Sequence, residues 1–110
     1  MLTIEILNRI QKLTEEQLEL PGENSSTICA GAVEELGELS RAIRIEDDAI
    51  TKRHKLLDEP STFEALDLTI CALSVYFARG GKLEDIDLIM NSKIDKWVGN
   101  VKRNINDVSK

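Results

Sequence analysis

Four carboxylates stand in two pairs, Glu35 with Glu38 and Glu64 with Asp67, and the members of each pair are three residues apart. On a helix, this spacing puts both members on the same face, one turn apart. Two such helices packed face to face would crowd four negative charges together, and these cannot all stay ionised without a neutralising partner. The simplest partner is a hard divalent cation, which prefers oxygen ligands. The pattern therefore predicts a metal centre.

The type of metal follows from the ligand atoms. Oxygen-only ligation favours Mg²⁺, with Mn²⁺ as a substitute. Calcium also takes oxygen ligands, although the chain has no EF-hand loop. A di-iron bundle would require Glu-x-x-His pairs. The only histidine, His54, has Thr51 three residues before it, so this spacing excludes such a site.

The elements that must position these carboxylates are helices, because no segment alternates with the period of a strand. We predict one all-α domain over residues 1–110, an antiparallel bundle of four to five helices. The first helix covers residues 3–20 and ends at Pro21-Gly22.

The second helix begins after Ser25 or Ser26, either of which can cap it, and continues to at least Ile45. Its apolar residues recur at spacings of three and four, which predicts an amphipathic helix with one buried stripe. The residues of this stripe are Cys29, Ala32, Leu36, Leu39 and Ile43.

A helical wheel separates the acidic residues of the second helix. Glu35 and Glu38 border the apolar stripe, whereas Glu34 points away from it, next to Arg41. Glu34 is therefore predicted to lie on the surface. Taken alone, Glu64 would also fit a capping box and Asp67 a favourable contact with the helix dipole, while Glu35 and Glu38 would fit a solvated helix face. It is the conjunction of two pairs, both against apolar surface, that favours a metal centre.

The third helix has the strongest start signal. After Pro60, Ser61 and Glu64 form the pattern of a capping box. The helix is predicted to run to Arg79 and to end at the glycine pair that follows it. Its body, residues 68–78, contains no charged side chain, which predicts a helix surrounded by protein. Three neighbouring helices are too few to cover it, so we expect a homodimer or tetramer with the site near a subunit contact.

Two segments are less clearly defined. The fourth helix is predicted from Leu83 to about Val98, followed by a polar tail that frays from Asn100 onward. The charged segment 46–59 is compatible with an extension of the second helix, a short separate helix or a loop, and the pattern leaves these alternatives open.

The amino-acid composition of the chain argues against some classes of binding partner. The net charge of −6 argues against a nucleic acid polymer. No apolar run approaches the roughly 18 residues of a membrane span, so we expect no membrane segment. Cys29 and Cys71 both lie in apolar helical patterns, which predicts buried, reduced thiols in a cytoplasmic protein.

The two acidic motifs also resemble those of a known family. Residues 34–38, Glu-Glu-Leu-Gly-Glu, match a Glu-Glu-x-x-Glu motif, and residues 64–67 match Glu-x-x-Asp. In this order and separation they resemble the signature of the all-α nucleoside triphosphate pyrophosphohydrolases, of the short MazG-like type, over roughly residues 26 to 103. The resemblance implies Mg²⁺-dependent hydrolysis of a (deoxy)nucleoside triphosphate to the monophosphate and pyrophosphate, as a house-cleaning activity. It implies metal ligation by Glu35, Glu38, Glu64 and Asp67, with Glu34 helping to position metal or water.

The resemblance extends to the fourth helix and implies a substrate-binding role there. Lys93, Lys96 and Arg103 would neutralise phosphate oxygens, unless they are ordinary surface charges. Trp97 would stack on the base or pack in an interface, and Asn100 would contact sugar or base or cap the helix end.

The catalytic proton would pass from water to Glu38 or Glu35. A base pocket is expected from loops and a second chain. The alternative function is a catalytically inactive helical module that binds a nucleotide or a protein.

Overall fold

The computed structural model describes residues 3–48 and 59–108, and the regular structure within these ranges is entirely helical. Four α-helices are present there, and a 3₁₀ turn at Leu83–Asp85 precedes the last one. The all-α prediction is thus confirmed for the described residues. The first residues of the charged segment belong to the end of the second helix, and residues 49–58 lie outside the described ranges. The helices are α1 (Ile4–Leu18), α2 (Ser25–Asp47), α3 (Ser61–Ala78) and α4 (Ile86–Val108).

Asn24 caps the start of α2. Its side-chain oxygen accepts hydrogen bonds from the backbone N–H groups of Ser26 and Thr27, at 2.9 and 3.1 Å. The Thr27 hydroxyl in turn accepts one from the Asn24 N–H at 2.9 Å, which completes a capping box. The prediction that Ser25 or Ser26 caps this helix is therefore wrong. Both serines lie inside the first turn, because Asn24 has a partner at the right spacing and they do not.

The start of α3 also differs from the predicted capping box. Ser61 is the first helical residue, and Pro60 occupies the cap position without any side-chain hydrogen bond. The Glu46 carboxylate, at the end of α2, accepts hydrogen bonds from the Ser61 backbone N–H at 2.7 Å and from its hydroxyl. The hydrogen-bond acceptor for the start of α3 thus comes from α2, and Glu64 does not cap this helix.

Helix α3 ends at the glycine pair Gly80-Gly81, as the sequence predicts. Gly80 has φ +89°, and its N–H donates to the Phe77 carbonyl while the Gly81 N–H donates to the Tyr76 carbonyl at 2.9 Å. The Tyr76 ring lies so close to Gly81 that a Cβ atom there would overlap it. The Tyr76 hydroxyl donates to the Lys82 carbonyl at 2.7 Å. These contacts fix the direction in which the chain leaves α3.

Helices α2 and α3 form an antiparallel pair. Glu46 meets Ser61 at one end of the pair, and the Arg79 guanidinium lies 3.4 Å from the Ser25 hydroxyl at the other. Helix α1 packs on α3, where the buried residues of the two helices meet the start of α4. This core cluster consists of Leu7, Ile10, Phe77 and Ile86.

The face of α2 that packs is not the predicted stripe. The buried residues of α2 are Ile28, Ala42 and Ile45, and Glu35 lies midway between the first two. Leu36 and Ile43, which belong to the predicted stripe, are instead 53% and 43% exposed. The spacing of the hydrophobic residues predicts that one face of α2 is apolar. It does not predict which element, if any in the same chain, packs on that face.

The two cysteines differ in exposure. Cys29 is exposed and Cys71 is half-buried, and both are free thiols. The prediction that both are buried is therefore wrong for Cys29. Its position on the uncovered stripe of α2 explains the difference.

Helix α4 extends away from the other three. It continues to Val108, so the predicted fraying tail is helical within the described residues, and every residue after Ile86 is exposed. The radius of gyration is 17.5 Å, against about 13 Å for a compact domain of this length. On α3, Phe77 alone is buried within the single chain. Within one chain, the described residues therefore leave most of α3 uncovered, although its uncharged body predicts a helix surrounded by protein.

By length and composition, α3 also meets the criterion for a membrane span, although Glu64 and Asp67 interrupt its apolar residues. Its 18 residues have a mean hydropathy of 1.2. The core helix of a soluble protein meets the same criterion, so this finding alone does not distinguish the two.

Candidate metal centre

Three carboxylates of the predicted centre converge in the structure. One oxygen atom each of Glu35, Glu64 and Asp67 lies within 4.8 Å of the other two. Helix α2 supplies the first residue and the start of α3 supplies the other two. The link between Glu46 and Ser61 sets the register that brings the first turns of α3 onto α2. All three side chains of the cluster are half-buried.

Two oxygen atoms in this cluster lack any partner. The Oε2 atoms of Glu35 and Glu64 are inaccessible to solvent and accept no hydrogen bond from the residues that the structure describes. A buried polar atom without a partner is costly, and a carboxylate more so than a neutral group. A cation held by the three carboxylates would supply the charge partner that these two side chains lack. The residues therefore fit a metal ion, on an observation that is independent of the motif.

The electrostatics of the centre agree with this fit. Burial raises the pKa of Glu35 above its ordinary value of 4.5, and the charges of Glu38 and Asp67 raise it further. Burial likewise raises the pKa of Glu64, again with the help of Glu38 and Asp67. Without a cation, the protein thus favours protonation of carboxyl groups that a metal would keep ionised.

Glu38 and Glu34 lie at the margin of the centre. Glu38 is exposed, yet its side chain raises the pKa of Glu35 by its charge and through a hydrogen bond. Glu34 is exposed, as the helical wheel predicted, and contributes least among the charges that raise the pKa of Glu35. The structure therefore places Glu38 beside the cluster of three, with access to solvent.

Cys71 is a neighbour of the centre that the motif did not indicate. Burial raises the pKa of its thiol, and the charges of Glu35 and Asp67 raise it further. A thiol held in its protonated form is a poor metal ligand, so the oxygen donor set is unchanged. The available signal was its spacing, because Cys71 follows Asp67 by four residues on one helix face.

The predicted substrate-binding residues all lie on the exposed surface of α4. Lys93 lines a groove with Leu68 and Thr69, the two residues that follow Asp67 on α3. The others extend further along α4, where Trp97 is 68% exposed. These residues are Lys96, Trp97, Asn100 and Arg103.

Asn100 has a partner that its sequence position did not predict. The Arg103 guanidinium donates a hydrogen bond to the Asn100 side chain, one turn earlier on α4. Asn100 does not cap the end of α4, because this helix continues to Val108.

Comparison with known proteins adds no assignment. Protein-family models, curated proteins and solved structures were each compared with the chain, and none matches it. Function is therefore inferred from the carboxylate geometry together with the resemblance of the motifs.

Proposed function

We propose that this protein hydrolyses a (deoxy)nucleoside triphosphate to the monophosphate and pyrophosphate, with Mg²⁺ as cofactor and Mn²⁺ as a substitute. The observation that carries the metal requirement is the pair of buried, unpartnered Oε2 atoms of Glu35 and Glu64, beside Asp67. The reaction itself is what the motif resemblance implies. A role in clearing unwanted nucleotides follows from the same resemblance.

Each carboxylate has a distinct task in this proposal. Glu35, Glu64 and Asp67 would hold the cation, which when bound supplies charge neutralisation and lowers the pKa of a water molecule. Glu38 is placed beside the cluster and exposed to solvent, so it would accept the proton of the attacking water. Glu35 is the alternative acceptor.

The bonds follow from attack at the α-phosphate. The water oxygen forms a bond to the α-phosphorus, and the bond from that phosphorus to the oxygen bridging the α- and β-phosphates breaks. Pyrophosphate leaves with the bonding electron pair, while the proton passes to the carboxylate. Lys93, Lys96 and Arg103 would neutralise phosphate oxygens, Asn100 would contact the sugar, and Trp97 would pack in the interface between copies.

We also propose self-association, as a dimer or tetramer. The chain exposes 8693 Å², whereas a compact monomer of 12.3 kDa exposes about 6,100 Å². The difference, about 2,600 Å² per chain and so about 5,200 Å² for a pair of chains, matches the largest class of obligate interfaces. The surface assigned to a second copy is the exposed apolar face of α2 and α3, which comprises Leu36, Ile43 and Leu66.

One experiment tests the enzymatic proposal. Pyrophosphate release is measured from a panel of nucleoside triphosphates with Mg²⁺, for wild type, Glu38→Gln and Glu15→Gln. Glu15 is exposed on α1, so its variant controls for the lost charge. We expect kcat of Glu38→Gln to fall by about 10²-fold or more, with Glu15→Gln unchanged.

Two outcomes would contradict the proposal in different ways. Equal rates for wild type and Glu38→Gln would remove Glu38 from the mechanism. Absence of hydrolysis for every nucleotide would favour the inactive binding module. A parallel titration with Mn²⁺, followed by electron paramagnetic resonance, tests the metal site alone, because Glu64→Gln should weaken Mn²⁺ binding whatever the reaction.

A further inference from the structure

A cavity of about 230 Å³ lies between α1, α2 and α3, next to the carboxylate centre. Gly31 lines it from α2, Cys71 and Ser74 line it from α3, and Thr14 and Gln17 line it from α1. We propose that this cavity takes the base of the nucleotide and selects bases that carry an exocyclic amino group. This inference rests on the proposed function and assigns its substrate class.

The position of the cavity relative to the centre suits a nucleotide. Gly31 precedes Glu35 by four residues on α2, and Cys71 follows Asp67 by four residues on α3. Each step corresponds to about 6 Å along a helix, and Ser74 lies about 10 Å beyond Asp67. A ligand with its phosphates at the carboxylates and its sugar in between would therefore bring its base to this cavity.

The size of the cavity restricts what it can hold. Sites for complete drug-sized ligands have volumes of about 300–1,000 Å³. A cavity of 230 Å³ therefore accommodates a base rather than a whole nucleotide. Its remaining wall is largely apolar and suits the faces of a planar ring. The apolar residues of this wall are Ile10, Leu13, Ile28 and Ile70.

The hydroxyl pair of Thr14 and Ser74 presents acceptors to the cavity. The buried Thr14 hydroxyl donates to the Ile10 carbonyl at 2.7 Å, so its single proton is engaged. The hydroxyls of Thr14 and Ser74 are also 2.7 Å apart, and the proton between them must therefore come from Ser74. The Ser74 oxygen is left with free lone pairs and no proton to offer.

Gln17 adds a second acceptor. One of its two amide protons goes to the Glu23 carboxylate at 3.3 Å, which leaves its carbonyl oxygen as an acceptor and its second proton as a donor. An exocyclic amino group can therefore donate to the Ser74 oxygen and to the Gln17 carbonyl, whereas a ring carbonyl would face the Ser74 oxygen with lone pairs. We therefore expect nucleotides of cytosine, adenine or guanine to be preferred over their keto counterparts.

A filled cavity tests this proposal. A Cβ atom built on Gly31 meets nothing within 4 Å, so Gly31→Leu can extend into the cavity without a backbone clash. Ala30→Leu is the matched control, since Ala30 lies on the same helix, is exposed and does not line the cavity.

The kinetic arms compare nucleotides that differ only in an amino group, such as dCTP with dUTP and ATP with ITP. We expect wild type to prefer the amino-bearing member at least tenfold in kcat/KM, and Ser74→Ala to reduce this preference. Gly31→Leu should raise KM at least tenfold, with Mn²⁺ binding unchanged and Ala30→Leu like wild type. Equal KM values for the two leucine variants, or equal kcat/KM within each nucleotide pair, would overturn the assignment.

A binding arm separates this inference from the proposed function. Equilibrium dialysis with cytidine and uridine, which carry no phosphate, measures the cavity without any reaction. Binding of cytidine by wild type but not by Gly31→Leu would support the cavity even if no nucleotide were hydrolysed. Absence of cytidine binding by wild type, in a protein that does hydrolyse nucleotides, would overturn the base assignment and leave the enzymatic proposal intact.

Discussion

Glu46, near the end of α2, accepts hydrogen bonds from both the backbone N–H and the hydroxyl of Ser61, the first residue of α3. The carboxylate replaces the side-chain cap that Pro60 cannot supply, and it ties the two helices that carry the metal centre. The local start of α3 and its register against α2 therefore depend on the same contact.

Glu46→Ala is expected to lower the free energy of unfolding by about 0.5–2 kcal/mol, because two donors at a helix start lose their acceptor. Ser61→Ala should cost less, since its backbone N–H keeps the carboxylate. Urea unfolding followed by circular dichroism measures both, with Glu16→Ala on the exposed side of α1 as the control. Equal costs for the first two variants would show that the N–H bond contributes nothing.

A pH dependence follows from the raised pKa values of Glu35 and Glu64, whose ordinary value is 4.5. A carboxyl group with a higher pKa in the folded state binds protons more readily there than in the unfolded chain. Its contribution to stability is fully present below the unfolded value and is lost as pH rises through the folded value.

In metal-free protein we therefore expect Glu64→Gln to unfold at higher urea concentration than wild type at pH 7, with the difference vanishing near pH 4.5 and below. Addition of Mg²⁺ at pH 7 should reverse the order, because the cation stabilises the ionised wild-type cluster. Glu15→Gln serves as the charge control. A variant less stable than wild type at pH 7 in the presence of EDTA would contradict the crowding of negative charge in the folded state.

Self-association is tested by light scattering at micromolar concentration, where we expect a dimer or tetramer. Ile43→Lys and Leu66→Lys place a charge on the exposed apolar face of α2 and α3, and each should weaken association by at least about tenfold. Ile4→Lys, on an exposed apolar residue of α1, should leave the assembly intact. A monomeric wild type would refute the proposed interface.

The two thiols should react at different rates. Cys29 is exposed, whereas burial and two neighbouring carboxylates raise the pKa of Cys71 and reduce its reactive thiolate. Iodoacetamide at pH 8 is expected to modify Cys29 several-fold faster, as measured by mass spectrometry of the peptides. Glu35→Gln should accelerate modification of Cys71 and leave Cys29 unaffected. Equal rates at both cysteines would argue against the placement of Cys71 beside the acidic cluster.

The features that the sequence predicted correctly are those that short-range spacing determines. Four helices, the glycine end of α3 and the exposed position of Glu34 all follow from residues within one or two turns of each other. The convergence of Glu35 with Glu64 and Asp67 also follows, once two helices with acidic pairs are packed together.

The features that the sequence did not predict depend on contacts distant in the chain. The cap of α3 comes from Glu46, fifteen residues earlier, and no local pattern could indicate it. The apolar stripe through Leu36 and Ile43 has the correct period, but periodicity does not tell which partner covers a face. Helix α4 is longer than predicted. Val101 and Ile105 continue the apolar spacing of a helix beyond Val98, but they lie among polar residues.

The short turn between α3 and α4 sets the direction of the whole of α4. Helix α4 has 23 residues and is about 34 Å long, and its residues after Ile86 are exposed. A change of 10° in the direction of this helix would move its far end by about 6 Å. Because the Tyr76 ring leaves no space for a side chain at Gly81, even an alanine there must displace the ring or the backbone. Where the backbone gives way instead of the ring, a single methyl group at this turn redirects every basic side chain that α4 carries.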